Sequence, residues 1–143
     1  MRLRTSAAIH AATALLCLAA GCDSAAVGAH PGPTAAATVT LDDRSPARTV
    51  TVTVGSTVDL VLHSTYWSAL RSSAPHTLQP IGAAVTSAAP GCVPGQGCGT
   101  VTARFLAAAA GRVVLSATRT VCGEALPCAP GQRSFAVTVL ITG

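Results

Sequence analysis

Six cysteines, four histidines and five carboxylates are the side chains of this 143-residue chain that could attack, ligate or carry a proton. Four of the cysteines fall into two pairs of equal spacing, Cys92-VPGQG-Cys98 and Cys122-GEALP-Cys128. A structural zinc site usually places its paired ligands roughly two to four residues apart, which neither pair does. Closing a short loop costs less chain entropy than closing a long one, so pairing within 92–98 and within 122–128 is expected, at about 2 kcal/mol each. A cross-pairing between the two loops stays open if both lie at one end of the fold. The acids are Asp23, Asp42, Asp43, Asp59 and Glu124. Asp42 and Asp43 are adjacent, so on a strand they point to opposite faces and make a poor acid–base pair. His63 ends an apolar run and His76 follows Pro75; both read as surface residues. There is no G-x-S-x-G, no H-E-x-x-H and no phosphate-binding glycine loop. The expectation is a protein with no enzymatic activity, no cofactor and no metal.

The other two cysteines, Cys17 and Cys22, belong to the N-terminal segment. Arg2 and Arg4 precede an almost wholly apolar run from Ala7 to Ala20, broken by His10 and Thr13. That run is short of the ~20 apolar residues that span a bilayer, and it ends in small residues, as an export signal does. "LAAGC", residues 18–22, resembles the lipobox of bacterial lipoproteins, with Leu18 one place earlier than the common pattern. The resemblance implies a signal peptide over 1–21 and lipidation of Cys22 as the new N-terminus. It places the chain at the extracytoplasmic face of the cell membrane, held by acyl chains that each add about 0.8 kcal/mol per buried CH₂. An ordinary secreted protein cut nearby, for instance after Ala20, is the alternative. Export would also favour disulfides over thiols. Residues 22–37, containing "PGP", have no hydrophobic period and read as a disordered tether of roughly 20 Å reach. Loss of Arg2 and Arg4 would bring the formal charge of +4 down to about +2, spread without a basic cluster, so nucleic acid is a poor partner.

From residue 38 onward the period is two. Val50, Val52 and Val54 alternate with threonines, and Gly55 and Ser56 mark a turn. Val58, Leu60 and Leu62 follow, then Val101, Ala103 and Phe105; Val113, Leu115 and Ala117; and Phe135, Val137, Val139 and Ile141. Weaker strands are expected at 38–41, near 78 and at 83–87. The alanine run 107–110 reads as strand, then turn, because Gly111 stops it. Aromatics are 3% and charged residues 10% of the chain, so the core must be built from small and β-branched side chains, and the low charge argues against a salt-bridged helical surface. Seven or eight short strands of this kind predict an all-β, immunoglobulin-like antiparallel β-sandwich over 38–143.

The order "GSTVDLVL", a loop with "YW", "TARFLAAAAGRVVLSATR" and "SFAVTV" resembles the chagasin-like cysteine protease inhibitors across about residues 48–141. The resemblance implies an immunoglobulin-like sandwich with its loops at one end. It does not carry the inhibitory motifs. The first loop of that family reads Asn-Pro-Thr-Thr-Gly before an aromatic; "HSTYWSALRSSAPH" has aromatics, but the chain has no Asn. "PGCVPGQGCGT" matches the second loop only in glycine content, and "RTVCGEALPCAPGQR" lacks the Arg-Pro-aromatic of the third. Tyr66 and Trp67 are therefore the candidate binding loop, with a plug of the sandwich end as the other reading of Trp67. The expected function is non-enzymatic binding, by a membrane-anchored monomer, of a protein partner in the envelope. A chagasin-like inhibitor of a protease and a structural envelope module are the alternatives.

Overall fold

Two β-sheets pack face to face in the computed structural model, which describes residues 36–45 and 47–143. The signal segment 1–21, lipidation at Cys22 and most of the 22–37 tether lie outside the described residues. All that is described belongs to one compact unit, Pro33–Gly143.

The strands are β1 (Thr38–Asp42), β2 (Thr49–Thr53), β3 (Thr57–His63), β4 (Ser68–Ser72), β5 (Leu78–Pro80), β6 (Val85–Ala88), β7 (Gly99–Ala107), β8 (Gly111–Thr118), β9 (Val121–Gly123), β10 (Leu126–Pro127) and β11 (Ser134–Thr142). The first sheet runs β1-β3-β7-β5, with β6 following β5 along the same edge of β7. The second runs β2-β11-β8-β4, and β9 with β10 forms a separate small ribbon.

Alternation decides which face is buried. In β3, Val58, Leu60 and Leu62 are sealed while the residues between them are half-buried. Val101, Ala103, Phe105 and Ala107 of β7 lie beside them in the same sheet, and Val113, Leu115 and Ala117 of β8 with Val137, Val139 and Ile141 of β11 meet them from the other. Burying each large aliphatic contributes about 1.5–3 kcal/mol, and these four strands supply most of the core. The bend after Ala107 carries the chain from the first sheet to the second, as Gly111 implied.

Three features differ from the sequence reading. The sheets are not antiparallel throughout: β1 pairs parallel to β3 (Leu41 opposite Leu60), and β2 parallel to β11 (Val52 opposite Ile141). The two N-terminal strands each add to the edge of a different sheet, and alternation is blind to a strand's partner. Second, β4, β9 and β10 arise inside stretches read as loops. Ser68–Ser72 shows no alternation of burial, because its register shifts between Ser68 and Arg71 and Ala69 takes φ +49°. Third, Val54 lies past the end of β2 and is 41% exposed, so only Val50 and Val52 of that trio turn inward.

A candidate binding face at one end of the sandwich

Strand register brings three connections to one end: the β3–β4 loop 64–67, the β6–β7 loop 89–98, and the 119–133 excursion between β8 and β11. The turn after β1 joins them. The two longer ones place little apolar surface in the core, so they need polar or covalent bracing.

The first brace is covalent. Cys92 is bonded to Cys98 and Cys122 to Cys128, with Cα atoms 5.9 and 4.9 Å apart. This is the nearest-neighbour pairing; the cross-pairing does not form. Cys128 is buried, and its N–H donates to the Thr120 carbonyl at 2.9 Å. Arg133 Nε donates to the Cys128 carbonyl at 2.9 Å, which ties the base of the excursion to its bridge.

The second brace is Trp67. It is 6% exposed and belongs to the core, so it closes the end of the sandwich. Its Nε1–H donates to Asp43 Oδ2 at 3.2 Å, and the Arg119 guanidinium stacks 4.3 Å over its ring. Arg119 Nε in turn donates to the Gln132 carbonyl at 2.9 Å. One indole therefore joins the turn after β1 to the 119–133 excursion. A cation over an indole contributes about 0.5–2 kcal/mol, more as water is excluded.

The third brace is a carboxylate hub. Asp43 Oδ1 accepts the His63 backbone N–H at 3.0 Å and Nδ1–H at 2.8 Å. Asp42 Oδ1 lies 3.2 Å from the same ring nitrogen and accepts the Arg44 N–H at 2.7 Å. The expectation that the two acids diverge is corrected here. β1 ends at Asp42, so Asp43 already lies in a turn and both carboxylates reach His63. The three side chains place ligating atoms within 4.8 Å of one another, but both Asp43 oxygens already accept donors from the protein. The hub works as an internal clamp. His63 is likewise not a free surface residue, with 23% of its side chain exposed.

Tyr66 tethers the middle loop. Its hydroxyl donates to the Gly95 carbonyl, and the Thr65 N–H donates to the Gly97 carbonyl at 2.9 Å. Gly97, at φ +68°, lies so close under the Tyr66 ring that a Cβ there would sit 2.1 Å from it. Between the loops lies a polar hollow of about 230 Å³ lined by Arg44, His63, Ser64, Gln96, Cys98 and Arg119. Of the two aromatics expected to mark the binding loop, Tyr66 is half-buried against the β6–β7 loop and Trp67 is inside. Within the disulfide loops the exposed large apolar side chains are instead Val93 (54%) and Leu126 (66%), one in each. Asp43, His63 and Arg119 were missed as site residues; only the pairing of distant strands puts them beside Trp67.

No family model and no curated protein matches this sequence. Among solved structures the sandwich is similar to the cysteine protease inhibitor EhICP2 from Entamoeba histolytica, with TM-score 0.53 and 11% identity over 76% of this chain and 99% of that one. It is also similar to the solution structure of amebosin, with TM-score 0.46 and 18% identity over 78% and 100% of the two chains. The fold is chagasin-like, as the strand order implied.

Proposed function

We propose that this chain is a non-enzymatic protein-binding module whose partner is a cysteine protease of the papain type, engaged through the braced end of the sandwich. The carrying observation is the convergence of three loops around the Tyr66–Trp67 pair, two of them closed by disulfides, on a fold also seen in a cysteine protease inhibitor. Loops held in one conformation before contact lose little entropy on binding, which is what a tight inhibitor requires. The family's loop motifs are absent, so recognition would rest on this chain's own groups: Val93 and Leu126 as apolar tips beside the polar hollow.

The test is titration of papain with the purified chain. Inhibition at or below micromolar concentration is expected. Val93→Asp and Leu126→Asp each weaken it at least tenfold while the unfolding midpoint stays put, since both side chains are exposed. No inhibition at tens of micromolar removes the protease and leaves a binding module for another partner, the reading that the missing motifs favour. Capture from envelope extracts, compared with the Leu126→Asp variant, would then identify the partner.

We also propose that the module works at the extracytoplasmic face of the cell membrane, anchored by lipid on Cys22 and spaced by residues 22–37. The support is the "LAAGC" sequence behind a short apolar run.

A further inference from the structure

Hydrogen-bond parity along β7 fixes which backbone groups of β6 face solvent. The Ala107 N–H donates to the Ser56 carbonyl at 2.9 Å, so the odd-numbered residues of β7 bond toward β3. The Ile81 N–H donates to the Arg104 carbonyl at 2.8 Å and the Ala89 N–H to the Cys98 carbonyl at 3.3 Å, so the even-numbered ones bond toward β5 and β6. Val85 and Ser87, opposite Thr102 and Thr100, therefore carry the bonds from β6 to β7. The N–H and carbonyl groups of Thr86 and Ala88 alternate with them and point out of the sheet. No other segment among the described residues pairs with that edge. All of β6 is exposed.

Open edges are ordinarily blunted by a charge, a proline or a bulge. β1 ends on Asp42, β2 starts beside Arg48, β4 carries Arg71 and a bulge around Ala69, and β5 ends on Pro80. β6 has none of these. From Ser72 to Ala103 the chain holds no Asp, Glu, Lys or Arg, and Ile81 and Val85 stand 44% and 57% exposed on that stretch. A row of unpaired donors and acceptors calls for an extended backbone, and an uncharged row meets its own copy without like-charge repulsion. One symmetric register uses every outward group of the strand. With Ser87 on a twofold axis, Thr86 of each copy lies opposite Ala88 of the other; two such pairs exchange two bonds each, about four in all. Ser87 then faces Ser87, hydroxyl to hydroxyl, and Val85 faces Ala89.

We propose that β6 pairs antiparallel with the β6 of a second copy of this chain, so that the first sheet runs on through a twofold dimer. This departs from the monomer expected from the sequence, in which an open edge leaves no periodic signal. A four-residue ribbon is smaller than a standard interface, so a weak dimer is expected, with Kd of roughly 0.1 mM.

Sedimentation equilibrium of the purified chain, from about 10 µM to about 1 mM, brackets that affinity and is the test. A reversible monomer–dimer equilibrium is expected. Thr86→Pro deletes an outward N–H and no bond to β7, and should weaken dimerisation at least tenfold. Ser87→Arg sets two like charges on the axis and should weaken it as much, with partial recovery in about 1 M salt. Ser87→Asp should behave in the same way alone, yet an equimolar mixture of the two Ser87 variants should form a heterodimer at least tenfold tighter than either homodimer. Ser87 is exposed, so both variants should keep the parent's urea midpoint; if Thr86→Pro lowers it, the Ser87 pair carries the test. The inference is overturned if the parent stays monomeric at the highest concentration. It is equally overturned if the Ser87 variants dimerise as the parent does, or if their mixture shows no preference for the heterodimer.

Discussion

Asp43 is a side chain whose removal should cost more than its surface position suggests. It accepts from the His63 backbone, the His63 ring and the Trp67 indole, with a tenth of its side chain exposed. Asp43→Ala leaves the His63 backbone N–H and the Trp67 indole N–H without an acceptor, while the His63 ring keeps Asp42, and a loss of about 3 kcal/mol in urea unfolding is expected. Asp43→Asn should fall between the two, because one amide oxygen can serve His63 while the amide nitrogen then opposes the indole N–H. Asp42→Ala, with 36% of that side chain exposed and His63 still held by Asp43, should cost less than about 1 kcal/mol. Equal losses for the two alanine variants would remove the clamp described for Asp43. Trp67→Ala should cost about 3–5 kcal/mol, as for any large buried aromatic, whereas a surface anchor would cost almost nothing. Of this cluster, the sequence exposes Trp67 as an isolated aromatic but hides its partners. Asp43 and Arg119 lie 24 positions before and 52 after it, and no spacing rule links them.

At the scale of elements, the β6–β7 loop offers a paired test of how tightly it is seated. Gly95 and Gly97 both have positive φ, +90° and +68°, so alanine at either carries the left-handed penalty of about 1–2 kcal/mol. A Cβ on Gly95 meets open space; one on Gly97 would strike the Tyr66 ring at 2.1 Å. Gly97→Ala should therefore destabilise more than Gly95→Ala and also displace Tyr66, visible as a change in its fluorescence or ring resonances. Breaking the Cys122–Cys128 bridge with paired serines should cost about 2 kcal/mol, since the closed loop is short, yet reduce partner binding further by freeing the ribbon that carries Leu126. The strands with strict alternation, β3, β7, β8 and β11, are legible in the sequence almost to the residue, because each has one face in the core and one in water. β4 and the β9–β10 ribbon are not. The former is bulged, and the latter is two to three residues per strand, held by a bridge and a buried Cys128 instead of an apolar face. The bridges themselves are largely legible because chain entropy favours neighbours six positions apart, and the structure decides against the cross-pairing that spacing left open.

For the whole molecule, the partner of each edge strand is the part that periodicity leaves open. Val39 and Leu41 or Val50 and Val52 would alternate identically beside any neighbour, and only three-dimensional closure puts one pair parallel to β3 and the other parallel to β11. The sandwich is completed by those edges, with Leu41 and Val52 both buried in the core. The proposed anchor at Cys22 is expected to be separable from that core. Two acyl chains on one residue bind a membrane far more firmly than the single chain that gives only marginal attachment. Cys22→Ala should therefore move the chain from the detergent phase to the aqueous phase in a phase-partition experiment and lower the intact mass by the lipid. It should leave the urea midpoint and the β-type circular dichroism spectrum of the sandwich as they were. A chain that stays in the detergent phase after Cys22→Ala, or whose mature mass carries no lipid before it, is secreted or held by something other than this cysteine.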